Sequence, residues 1–179
     1  TAAAQLMKYW DHPVQGRGSH TYYPNDHPEY GPLTANFGET MYDWEHMANS
    51  LNGASQEEIE AVALLIYHAG VSVDMNYRPT SSGAVTGMLC ETMPAYFYYT
   101  DRMANLYREE YGREEYLHMV RRSIEMGWHM VQRGGGHAYV LDGYNDNDMV
   151  HYNWGWGGSS DAWFDIDNHG YTDGESILF

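Results

Sequence analysis

Gly135-Gly136-His137-Ala138-Tyr139-Val140-Leu141-Asp142-Gly143-Tyr144 sets a histidine at the head of a β-prone run, directly after glycines. Glycine has no Cβ, so a neighbouring backbone or a bound chain can come close to it. Asn145-Asp146-Asn147-Asp148 follows as a turn-forming stretch, and Met149 to Trp154 is β-prone again. Together these segments predict an antiparallel hairpin. Working outward, Trp128 to Gln132 precedes the hairpin and Ala162 to Ile166 follows it, with the Gly-rich stretch 155–161 between. Everything after Gly127 therefore reads as antiparallel β.

The half before Gly127 has a different period. Ala2 to Trp10 is rich in helix formers and stops before Asp11-His12-Pro13, where proline forbids continuation. Ser55 and Glu58 form a capping-box pattern, followed by Ile59, Val62, Ala63 and Ile66 at helical spacing and by Gly70 as a stop. Further helices are expected over Val85 to Met93, ending near Pro94, and over Arg113 to Met126, with a short one between Tyr42 and Leu51. Val14 to Phe37 shows no helical period and reads as a long surface excursion. Helices segregated from strands make an α+β fold: 1–126 a mainly helical lobe, 127–179 an antiparallel β lobe, one domain with a cleft between its lobes.

Composition narrows the partners. Nine Lys and Arg against 25 Asp and Glu give a formal charge of −16. That charge repels nucleic-acid phosphates and anionic membrane surfaces, so neither is expected as a partner. The longest apolar run, Ala61 to Tyr67, falls well short of the ~20 residues of a spanning helix. A single cysteine, Cys90, excludes an internal disulfide framework. It lies among Met88, Leu89 and Met93 in what reads as a helix interior, without a neighbouring base, and is expected to be a small apolar residue. His12, His20 and His27 share one loop region without the tight spacing of a zinc site. Asp165 to Gly170 resembles a calcium loop only faintly, since Ser176 stands where the closing glutamate belongs. Neither a metal nor another cofactor is expected. The Tyr-rich segments 14–37 and 96–111 admit a glycan-binding reading, but ordered loops or partly buried helix faces explain them better.

Two motifs carry chemistry: the Gly-Gly-His run at 135–137 and Asn153-Trp154-Gly155-Trp156-Gly157-Gly158. A hairpin brings His137 near Asn153 although sixteen positions separate them. A His–Asn pair on adjacent strands is the base and orienter of a thiol peptidase. The Asn amide would fix the imidazole tautomer, and the Trp154 indole would screen that bond from water. Each motif alone also admits a plainer reading, a turn histidine in the first case and an aromatic-rich turn against the core in the second.

The two motifs resemble those of the streptopain family of papain-like cysteine peptidases. Ala4-Gln5-Leu6-Met7-Lys8-Tyr9 is similar to the helix that follows the nucleophilic cysteine there, and Val71-Ser72-Val73-Asp74-Met75-Asn76-Tyr77 and Ser81-Ser82-Gly83 are similar to further family segments. Asp161 and Phe164 trail the second motif as the family's pattern expects. The resemblance implies a two-lobe papain-like fold and a cofactor-free cysteine endopeptidase acting through a thioester. His137, Asn153 and Trp154 would be its catalytic residues, and Ser82, Gly83, Gly136 and Trp156 its substrate contacts. It also implies protein or peptide substrates, a zymogen with a propeptide, and a secreted or extracellular bacterial location, cell-surface or periplasmic forms included. By register the nucleophile falls three positions before Thr1, so an upstream segment is expected to supply it. The alternative is a papain-like binding protein without a nucleophile.

Overall fold

The computed structural model describes residues 1–178. The chain divides into two compact units, one from Met7 to Asp101 and the other from Arg102 onward, with residues 1–6 shared between them.

The first unit contains most of α1 (Ala2–Trp10), the hairpin β1 (His20–Tyr22) and β2 (Leu33–Ala35), α2 (Gln56–Ser72) and α3 (Leu89–Phe97). The hairpin lies inside the stretch expected to be a loop, with His20 opposite Ala35. Three-residue strands are too short to show a period. Helix α2 starts at the expected capping box: Ser55 Oγ accepts from Glu58 N, and the Glu58 carboxylate accepts from Ser55 N. It does not stop at Gly70. That glycine lies inside the helix, and a Cβ there would collide with the Tyr77 hydroxyl. The buried face is Leu65, His68, Ala69 and Ser72, while Ala63 faces solvent. Between Tyr42 and Leu51 only one 3-10 turn forms, Trp44–His46.

Helix α3 also departs from expectation. A 3-10 turn at Thr86–Met88 leads into it, and it runs through Pro94 to Phe97, closing on Tyr98 in the left-handed region. The proline removes one N–H, a loss that packing outweighs: Phe97 is fully buried, and Phe37 stacks on Tyr96 at 4.5 Å and meets Phe97 edge-on at 5.1 Å.

The second unit is a six-stranded antiparallel sheet with one helix. Its elements are β3 (Asn105–Tyr107), α4 (Arg113–Glu125), β4 (Met130–Gly134), β5 (His137–Tyr144), β6 (Met149–Asn153), β7 (Ala162–Asp165) and β8 (Ser176–Leu178), in the order β3-β8-β4-β5-β6-β7. Strand β5 spans the residues expected of it. Tyr116, Leu117 and Val120 of α4 pack with Met130, Tyr139, Leu141, Val150, Tyr152, Trp154, Ile166 and Ile177 in one core. So α4 belongs with the sheet, and the compact units divide before it.

Two tests follow. Ser55→Ala removes the cap and should cost about 1 kcal/mol in urea unfolding. His68, whose Nδ1 lies 3.0 Å from the Tyr42 hydroxyl, has its pKa lowered by burial from an ordinary 6.5. As pH falls below that value the unfolded chain takes up a proton the folded chain refuses, so stability declines. His68→Gln should flatten part of that slope between pH 7.5 and 5.5, and an unchanged slope would contradict it.

Candidate active site

Strand β5 begins at His137 because the preceding glycines make the β4–β5 connection tight. Gly134 pairs with His137 across the hairpin, and Gly135 and Gly136 take φ of 54° and 77°. A side chain at Gly134 would strike the carbonyl oxygen of Tyr171, whereas a Cβ at Gly136 would meet open space. The first glycine serves packing and the second leaves room beside the imidazole.

The His137 ring is half-buried in aromatic side chains. Trp156 stacks on it at 4.9 Å and 28°, Tyr171 lies at 5.7 Å, and Trp154 is nearly parallel at 6.3 Å. Trp154 is 2% exposed and Trp156 45%, so one tryptophan belongs to the core and the other to the surface. His137 Nε2 lies 2.8 Å from the Trp154 carbonyl oxygen. A carbonyl only accepts, so Nε2 carries a proton, and Nδ1 is the ring nitrogen not engaged by that contact.

The expected side-chain contact between Asn153 and His137 is replaced by that backbone contact. Asn153 Oδ1 instead accepts from Gly155 N at 3.0 Å and from Gln5 Nε2 of α1 at 2.9 Å. Register explains this: Asn153 pairs with Val140, three residues along β5 from His137. The Trp154 backbone is itself held. Its N–H donates to Asp161 Oδ1 at 2.9 Å, and its indole Nε1 donates to the Ser160 carbonyl at 3.0 Å.

His137, Asn153, Trp154, Trp156 and Gly136 are thus gathered in the second unit. Ser82 and Gly83 belong to the first, exposed, with Gly83 bridged to Asn76. Sequence reasoning missed Tyr171 and Gln5. Gln5 bonds a partner 148 residues away, and no local pattern announces such a contact.

Cys90 is the second residue of α3, not a helix-interior position. Its thiol is nevertheless pushed up, by burial first and then by the neighbouring Glu91 charge. Both effects disfavour the thiolate that nucleophilic chemistry requires. The carboxylates of the faint calcium loop are bound by arginines: Arg113 Nη2 to Asp165 Oδ2 at 2.8 Å and Arg108 Nη2 to Asp167 Oδ1 at 2.5 Å. Among the described residues, Asp43, His46 and Glu57 are the one group of three metal-capable side chains, exposed or half-exposed in the first unit and including none of His12, His20 and His27. No described helix is long and apolar enough to cross a membrane.

The active wild-type interpain A cysteine protease of Prevotella intermedia matches this structure with a TM-score of 0.92 and 34% identity, over 99% of this chain and 79% of that one. A prointerpain A fragment from the same organism gives 0.90 and 33%, over 99% and 60%. The fold is that of the papain-like α+β cysteine peptidases. A sequence model of the Peptidase C10 family matches residues 1–164, and the chain belongs to that family. Streptopain of Streptococcus pyogenes is 29% identical over 176 residues, covering 93% of this chain and 44% of streptopain. The thiol protease/hemagglutinin PrtT of Porphyromonas gingivalis is 28% identical over 169 residues, covering 92% and 19%. The chain spans less than half the length of these curated relatives. The resemblance to the streptopain family read from the motifs is thereby borne out.

The two glycines should separate on substitution. Gly134→Ala meets a fixed carbonyl and should lose about 1–3 kcal/mol or more in unfolding experiments. Gly136→Ala meets only its positive φ, at a cost of about 1–2 kcal/mol.

Proposed function

We propose that the protein acts as a cysteine endopeptidase in which His137 is the general base, using a thiol that the family resemblance places three positions before Thr1. The hydrogen bond from Nε2 to the Trp154 carbonyl carries the reading, because it reserves Nδ1 for the incoming proton. Nδ1 takes the thiol proton and the sulfur attacks the substrate carbonyl carbon. When the C–N bond breaks, the imidazolium returns that proton to the leaving amine, and water then hydrolyses the thioester. The imidazolium strengthens its own anchor, since a charged donor binds a carbonyl more tightly than a neutral one.

Asn153 contributes from a distance: it accepts from Gln5 within the same unit and holds the turn that presents the Trp154 carbonyl. Trp154 shields the bond with its indole, and Trp156, exposed and stacked on the ring, walls the leaving-group side. Gly136 and the Ser82-Gly83 loop are the proposed contacts for substrate backbone, supported by open space where a Cβ would stand at both glycines. The substrates are proteins or peptides, and the protein is secreted by its bacterium as a zymogen whose propeptide is a further partner. Cys90 takes no part.

The test uses the full-length protein and a fluorogenic protein substrate. His137→Ala should lower kcat/KM by about 10²- to 10⁴-fold with an unchanged circular dichroism spectrum. Cys90→Ala should retain turnover. Activity surviving in His137→Ala would end this reading, and a mature wild-type protein that binds but never cleaves would favour the binding-protein alternative.

A further inference from the structure

The segment 165–175 beside the proposed base contains a feature the mechanism above does not use. His169 and Glu175 are buried, 6% and 7% exposed, and flank a surface loop, Gly170-Tyr171-Thr172-Asp173-Gly174. His169 Nε2 lies 2.7 Å from Glu175 Oε1, which also accepts from Gln132 Nε2 of β4 at 2.5 Å. Both loop ends turn at glycines with positive φ, 86° at Gly170 and 61° at Gly174. The loop is thus a short Ω closed at its base by one buried side-chain hydrogen bond.

What the loop presents is Tyr171. Its ring packs 5.7 Å from His137 and 5.0 Å from Trp154. Its backbone covers Gly134, and Gly135 N donates to the Asp173 carbonyl at 2.7 Å. The loop therefore lies against the connection that launches His137. The His169 ring continues the packing inward, stacking on Tyr152 at 4.7 Å and lying 5.9 Å from Tyr139.

We propose that His169 and Glu175 are positioning residues for His137: their hydrogen bond clasps the 170–174 loop and holds Tyr171 against the imidazole and Trp154. The proposal rests on the reading of His137 as base. The clasp acts by enforcement. Five exposed or half-exposed residues, two of them glycines, lose much freedom when held in one conformation. A buried acceptor that loses its donors, or donors that lose their acceptor, is costly, so the clasp resists opening. Gln132 makes the acceptor a three-way junction between β4 and both loop ends. A near-attack arrangement of base and thiol tolerates little displacement, so whatever fixes the ring plane acts on turnover more than on substrate binding.

The test compares Glu175→Ala, Glu175→Gln and Tyr171→Ala in the full-length protein. Readouts are steady-state kinetics and the ring-carbon-bound proton resonances of His137, assigned by their loss in His137→Ala. The aromatic neighbours place those resonances in a strong ring-current field. Glu175→Ala should move them toward unstructured positions and lower kcat about 10- to 100-fold, with KM changed far less. Glu175→Gln keeps a carbonyl oxygen for both donors and should restore both readouts. Unchanged resonances and kcat in Glu175→Ala overturn the proposal, as does a Gln variant as impaired as the Ala variant. If Glu175→Ala does not fold, Tyr171→Ala decides: it removes the ring the clasp presents without touching the buried junction, and unmoved His137 resonances there overturn the proposal. Should the resonances shift while the wild-type protein shows no His137-dependent turnover, the reading of His137 as base fails and the clasp stands.

Discussion

A backbone carbonyl can only accept a hydrogen bond, and that one-sidedness organises the second unit. Because the Trp154 oxygen sits 2.8 Å from His137 Nε2, the imidazole is held in a single tautomer and a single ring plane. A side-chain amide in the same place could turn over and offer its nitrogen. A carbonyl within a turn pinned by Asp161, Ser160 and Asn153 cannot. The arrangement needs the peptide after Trp154 to stay put, and much of the surrounding polar network is spent on that.

The core beneath accepts unusual polar content for this end. Tyr116, Tyr139 and Tyr152 are fully buried, as is Gln132, with the Glu175 carboxylate among them. For Tyr116 and Tyr139, burial first and the Glu175 charge second push the phenol well above its ordinary range, so both remain protonated hydroxyls. A purely apolar core would have been cheaper to bury. It would also have been less discriminating: a buried polar pair penalises any register in which it is broken, and a one-residue slip of β4 against β8 would carry Gln132 away from Glu175.

Against this background, what the sequence disclosed and what it hid have separate causes. Local signals read true where local physics decides: the capping box at Ser55, the β5 run from His137 to Tyr144, the helix beginning at Arg113. They failed where a distant neighbour decides. Gly70 looked like a helix stop, but it is glycine because Tyr77 folds back onto it, and the helix continues. Pro94 looked like a terminator, but the burial of Phe97 carries α3 past it. Strands β3 and β8, three residues each, exist because β8 fits between β3 and β4, information that no window along the chain contains. At the site the motif identified the turn correctly and assigned the contact to the wrong atom. Asn153 and Trp154 are adjacent in sequence, and only the register of β6 on β5 says which reaches the imidazole.

The same considerations bear on Cys90, the one cysteine in the sequence. A thiolate needs positive potential and solvation or hydrogen bonds to replace lost water. Near the start of α3 the helix dipole favours the anion, at a strength of about 0.3–1 kcal/mol for an exposed group. Burial and Glu91 oppose it and win, because the thiol's pKa moves up rather than down. His137 has a different setting. It is half-exposed, the Trp154 carbonyl meets its ring edge at Nε2, and the Trp156 indole stacks on its face. A helix N-terminus alone does not make a nucleophile, and the geometry fixed around an imidazole is what a base at position 137 would draw on.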